Sequence, residues 1–67
     1  MIYLSDILKL LSLTKIISVY DEFNKLLFRG RVSALKFDLE NTYLRSCPVT
    51  GVKIDFYIGI IIVVSYY

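Results

Sequence analysis

Ile16-Ile17-Ser18-Val19-Tyr20-Asp21-Glu22-Phe23-Asn24-Lys25-Leu26-Leu27-Phe28-Arg29-Gly30-Arg31-Val32 is the stretch whose reading decides the fold. Its opening is β-branched (Ile16, Ile17, Val19) and closes on Tyr20, a composition that suits a strand. Asp21-Glu22-Phe23-Asn24 predicts a turn, because Asp and Asn side chains bond their own backbone and tolerate turn dihedrals. Phe23, inside that turn, is expected to fold back onto the edge of the core. The return segment, about residues 25–33, alternates: Leu26, Phe28, Gly30 and Val32 fall on one face, and Leu27, Arg29 and Arg31 on the other. Gly30 leaves a gap in the apolar face, which reads as a bulge, a close approach of helix and sheet, or a seat for a ligand. Arg29 and Arg31 stand side by side at i and i+2, an arrangement that can grip a carboxylate or phosphate or simply face solvent.

The C-terminal quarter supplies the partner strands. Val52, Ile54, Phe56 and Ile58 alternate with Lys53, Asp55 and Tyr57, so the first set is expected to face in and the second out. Phe56 and Ile54, with Phe28 and Ile62, are therefore expected in the core. Gly59 marks a tight turn to the last strand. From residue 60 on, both faces are apolar: Ile60, Ile62, Val64 and Tyr66 on one side, Ile61, Val63, Ser65 and Tyr67 on the other. A strand of that kind is central and covered on both sides.

Toward the N-terminus, Ser5 reads as an N-cap and Asp6 as a first-turn carboxylate favoured by the helix dipole. Ile7, Leu8, Leu10, Leu11 and Leu13 form an apolar stripe at helical spacing. In the middle, Leu35, Phe37 and Leu39 alternate with Lys36, Asp38 and Glu40, which predicts a short edge strand, and Pro48 places residues 45–48 in a loop. The expected fold class is α+β in one domain. A helix over about residues 5–13 packs on a four- or five-stranded, mainly antiparallel sheet or small partly closed barrel. Its strands run over about 15–20, 25–33, 35–39, 49–58 and 60–66.

Of the 67 residues, 57% are apolar, and mean hydropathy is +0.64. That exceeds the roughly 45–50% of an ordinary soluble domain, and a chain this short buries only about 60% of its unfolded surface. The surplus calls for a membrane, a partner or a second copy. The longest uncharged run, 56–67, has twelve residues, against the roughly 20 that a spanning helix needs, so no membrane span is expected. The opening residues carry no basic n-region and Asp6 comes early, so a cytoplasmic protein is expected. With one helix and a last strand apolar on both faces, self-association is expected through Ile61, Val63, Tyr66 and Tyr67.

The composition also narrows the chemistry. Histidine is absent, which removes the usual general base, the commonest metal ligand and the Ser/His or Cys/His nucleophile systems. Cys47 is alone, so neither an internal disulfide nor a thiolate zinc site is available, and it reads as a small buried hydrophobe. The three glycines are isolated, so no phosphate loop exists. Neither catalytic residues, metal ligands nor a cofactor are expected, and the chain reads as a non-enzyme. The net charge of +2 comes from eight basic and six acidic residues spread along the chain, which makes nucleic acid a less favoured partner. Candidate partner-binding residues are Arg29, Arg31, Lys53 and Tyr57.

Several segments together carry a resemblance: Asp6-Ile7-Leu8-Lys9-Leu10-Leu11, a strand ending in Val19-Tyr20-Asp21, then Leu27-Phe28-Arg29-Gly30-Arg31-Val32, Tyr43-Leu44-Arg45 and a terminal hairpin. This order resembles small proteins carried by phages and prophages of low-GC Gram-positive bacteria. The resemblance implies a mobile element inside a bacterial cell and brings no catalytic residues. The first reading in that setting is a stoichiometric interaction protein, because surplus apolar surface wants a partner, and the expected partner is a host defence protein, such as a CRISPR effector, that the chain inhibits. The competing readings are a homo-oligomer that holds a small anionic ligand, such as a signalling nucleotide, and an accessory nucleic-acid binder.

Overall fold

A computed structural model describes residues 1–66. Helix α1 (Leu4–Leu10) is followed by strands β1 (Ile16–Asp21) and β2 (Leu26–Arg31), helices α2 (Val32–Lys36) and α3 (Thr42–Arg45), and strands β3 (Val49–Asp55) and β4 (Gly59–Val64). The four strands form one open sheet in the order β2-β1-β4-β3. The two hairpins β1–β2 and β3–β4 are antiparallel, and they join through a parallel pairing of β1 with β4. The α+β class and the four-stranded sheet agree with the sequence reading. The sheet is mixed and does not close into a barrel.

The β-branched runs account for the two inner strands. Ile17 and Val19 of β1 lie beside Ile60 and Ile62 of β4, and Ile17, Val19, Ile62 and Val64 are fully buried. Leu4 and Leu8 of α1, Val32 and Leu35 of α2, Leu44 of α3 and Cys47 pack on that face. Phe28 is only half-buried, although it packs against this core. Its ring lies over Gly30, where an added Cβ would sit 3.2 Å from Phe28 Cζ. The gap at Gly30 is thus filled from within the strand.

Several sequence expectations are corrected. The helix begins at Leu4, one residue early, with Tyr3 rather than Ser5 as its N-cap. The Tyr3 N–H donates to Asp6 Oδ2 at 3.0 Å, so the first-turn carboxylate serves as expected. The helix ends at Leu10, not near 13. Residues 35–39 form no strand: Val32–Lys36 is a helix, and a second short helix follows at Thr42–Arg45. The alternation of Leu35, Phe37 and Leu39 misleads because only Leu35 is buried, paired at helical spacing with Val32. Phe23 is exposed at the β1–β2 turn rather than folded onto the core. That turn is held by Asp21, whose Oδ1 accepts the N–H groups of Phe23 at 2.8 Å and Lys25 at 2.9 Å, with Asn24 at φ 66°.

The largest correction concerns β3. Val52 and Ile54 do share the helix-side face, because they pair with Ile62 and Ile60. The three helices are too short to reach that edge, so Val52 is 53% exposed, Ile54 81% and Phe56 93%. Ile58 is also exposed. The expectation that Ile54 and Phe56 are core residues fails on this point, whereas Ile62 is core. Gly59 does mark the β3–β4 connection, at φ 94°, a region open to glycine at little cost.

Candidate functional site

The helices cluster on one face of the sheet and leave the other open. The register sets out what that open face carries. One row crosses all four strands: Arg29 on β2, Ser18 on β1, Ile61 on β4 and Lys53 on β3. The next holds Tyr20, Val63 and Gly51. Arg31 stands opposite Ile16 at the near margin, and Asp55 opposite Gly59 at the far one. Strands lie about 4.8 Å apart, so Arg29 and Lys53 are separated by about 14 Å across a strip of small and aliphatic residues.

The local chemistry of the row is set by Ser18. It is a polar interruption in a β-branched run and is fully buried. Arg29 lies across it: its Nε donates to the Ser18 hydroxyl at 3.0 Å, and its Nη2 to the Tyr20 hydroxyl at 3.2 Å. Arg31 projects from the same face and is exposed. Its guanidinium makes no hydrogen bond or ion pair among the described residues, so it is available to a partner. At the other margin, the Oδ1 of Asp55 accepts the N–H groups of Tyr57 at 2.8 Å and Ile58 at 2.9 Å. These bonds, that of Ile58 first and then Tyr57, with a smaller pull from Lys53, hold the Asp55 carboxyl below its ordinary value.

A shallow groove of about 280 Å³ runs along this face, lined by Tyr20, Asn24, Lys53, Asp55, Ile58, Ile61 and Val63. Its one cation, Lys53, is balanced by the carboxylate of Asp55.

Of the eight residues singled out by the sequence, the seven that are described fall in three places. Arg29, Arg31 and Lys53 share the open face. Tyr57 does not join them: it is 92% exposed in the β3–β4 turn, with its ring edge-on to Phe56 at 5.2 Å. Ile61 and Val63 are on the open face, but Ile61 is only 7% exposed and presents little area. Strand β4 is an inner strand with β1 and β3 on either side, so it has no free edge. Tyr66 is away from this face, stacked edge-on against Tyr43 at 5.2 Å, and Tyr67 lies outside the described residues. Sequence reasoning missed Ser18, Tyr20, Asn24 and Asp55. The polar Ser18 within a β-branched run was the signal on offer.

Cys47 is buried, with its Sγ donating to the Tyr43 carbonyl at 3.3 Å. Burial pushes its thiol up, as befits a packing residue rather than a nucleophile. No helix among the described residues is long and apolar enough to cross a membrane. No protein-family profile, curated protein or solved structure matches the chain.

Proposed function

We propose that the chain is a non-enzymatic interaction protein that docks an acidic surface of another protein on its open sheet face. The observation that carries this reading is the free, exposed guanidinium of Arg31 beside Arg29 on a face that no helix covers. Arg presents a planar fork that pairs with a carboxylate through two hydrogen bonds. Arg29 is pre-set by Ser18 and Tyr20, so less side-chain entropy is lost on docking. The absence of histidine supports a stoichiometric rather than a catalytic role. The phage-like order of segments suggests the class of partner, a host defence protein such as a CRISPR effector, and the bacterial cytoplasm as the setting.

A small anionic ligand is the weaker reading. The groove falls slightly below the roughly 300–1,000 Å³ of small-molecule sites, and Asp55 beside Lys53 opposes an anion there. Nucleic acid is weaker again, because among the described residues the face offers Tyr20 but no series of aromatic platforms.

The test compares the tagged protein with its Arg31→Glu variant as baits in a host lysate, followed by mass spectrometry of proteins and small molecules. The proposal expects one protein retained in equimolar amount by the native chain and lost from the variant, with the melting temperature unchanged. Equal retention by both baits, or a bound small molecule without a protein, refutes it.

A further inference from the structure

The sheet has two edges, and they differ. The β2 edge bears the charged Arg29 and Arg31 and runs straight into α2, features that discourage strand addition. The β3 edge bears exposed Val52 and Ile54 on its helix-side face and a single charge pair, Lys53 and Asp55, on its open face. Apolar edges of this kind are normally blunted in monomers.

The start of the β3 edge is already occupied. The N-terminal segment runs beside it: Leu4 N–H donates to the Cys47 carbonyl at 2.9 Å, Val49 N–H donates to the Ile2 carbonyl at 2.8 Å, and Tyr3 pairs with Pro48. On the opposite side, Ser65 N–H donates to the Pro48 carbonyl at 2.9 Å, which confirms that Ile2 sits on the outer side. Beyond Val49, none of the described residues pairs with the outer edge as far as Asp55.

We propose that this bare segment is the seam of a homodimer, in which two β3 strands pair antiparallel about Ile54 and the two sheets of four become one of eight. A two-fold axis perpendicular to the sheet brings together residues of the same face, so only a few registers exist. Centring on Lys53 or on Asp55 sets like charges directly opposite, which destabilises a strand pair. Centring on Val52 requires Val49 to face Asp55, and the N-terminal segment blocks Val49. Centring on Ile54 sets Lys53 of each copy opposite Asp55 of the other and Ile54 opposite Ile54, and it carries the exposed Val52 toward the partner's β3–β4 turn, which begins at the exposed Phe56. This register is the one that pairs opposite charges on the open face while covering exposed apolar groups on the other. The seam lies one strand away from the C-terminal strand expected from sequence, because β4 is an inner strand. It leaves Arg31, on the far edge, free.

Light scattering over a dilution series is the first test: the native chain is expected to reach twice its 7.8 kDa mass, and Lys53→Asp to remain monomeric with an unchanged circular dichroism spectrum. The register is tested by oxidation of Ile54→Cys against Val52→Cys. Opposed residues in an antiparallel pair have Cβ atoms about 4.5–5.5 Å apart, within a small adjustment of disulfide range. In the same register two Val52 positions are about 14 Å apart. Buried Cys47 does not compete. The expected result is disulfide dimer at least tenfold faster for Ile54→Cys. A monomeric native chain at every concentration, or equal cross-linking of the two variants, overturns the proposal. Arg31→Glu is expected to stay dimeric, so loss of the partner interaction and loss of the dimer are read separately.

Discussion

Arg29 on β2 donates from Nε to the hydroxyl of Ser18 on β1 at 3.0 Å, across the ladder that joins the first hairpin. Ser18 is fully buried, so this bond satisfies a polar group on an inner strand. The two arginines of the open face therefore differ, although their spacing suggests equivalent roles. Arg29→Ala is expected to cost about 1 kcal/mol, the net worth of a typical hydrogen bond, whereas Arg31→Ala stays within about 0.5 kcal/mol. Urea denaturation of the single variants and of the Ser18→Ala/Arg29→Ala pair measures the coupling. A coupling of zero would show that the bond contributes nothing to stability.

Ile62 and Phe56 make a second contrast. Ile62 is fully buried between the sheet and the helices, and Phe56 is 93% exposed. Ile62→Ala is expected to cost about 2–5 kcal/mol. Phe56→Ala is expected to stay within about 0.5 kcal/mol when both are measured in the Lys53→Asp background, where self-association does not enter. A large loss for Phe56→Ala would mean that the hairpin packs against the helices after all.

Both contrasts mark where sequence reading stops. Alternation along residues 52–58 shows which side chains share a face, but not whether any element covers that face. Cover depends on helix length, and α1 stops short at Leu10. The four strands were legible because their β-branched runs are long and are punctuated by Asn24 and Gly59, the two positions with positive φ among the described residues. Helices of five and four residues at Val32–Lys36 and Thr42–Arg45 complete too few turns for their period to stand out from a period of two. The placement of Arg29, Arg31 and Lys53 on one face followed from local spacing within strands. The roles of Ser18 and Asp55 depend on register and on turn geometry, which local spacing does not encode.

Arg45 ties the middle of the chain together. Its Nη1 donates to the Leu35 carbonyl at 2.8 Å and to the Asp38 carbonyl, and its Nη2 to Thr42 Oγ1 at 3.3 Å. One side chain thus caps the end of α2 and fixes the loop before α3. Arg45→Ala is expected to cost about 1.5–3 kcal/mol, the range for hydrogen bonds made by a charged group. Arg45→Lys should recover only part of that, because an ammonium group lacks the planar fork. Hydrogen exchange of residues 36–41 should quicken in both variants, and an unchanged rate would refute the tethering role.

The carboxylate of Asp55 holds the β3–β4 turn through the N–H groups of Ile58 and Tyr57, and these bonds place its pKa below the ordinary 3.8. A folded-state value below the unfolded one means that the unfolded chain takes up the proton first as pH falls. The stabilisation from Asp55 is therefore fully present above the ordinary value and is lost as pH drops through the depressed one. Asp55→Asn keeps an acceptor oxygen for both amides and removes the charge, so its hairpin should be insensitive to acid in that window. Nuclear magnetic resonance titration of the Tyr57 and Ile58 amides reads this directly. In the native chain the two shifts should move together, with a midpoint below 3.8, and in Asp55→Asn that transition should vanish. A native midpoint at or above the ordinary value would mean that the two amides do not favour the ionised carboxylate, and the turn would then owe its shape to Gly59 alone.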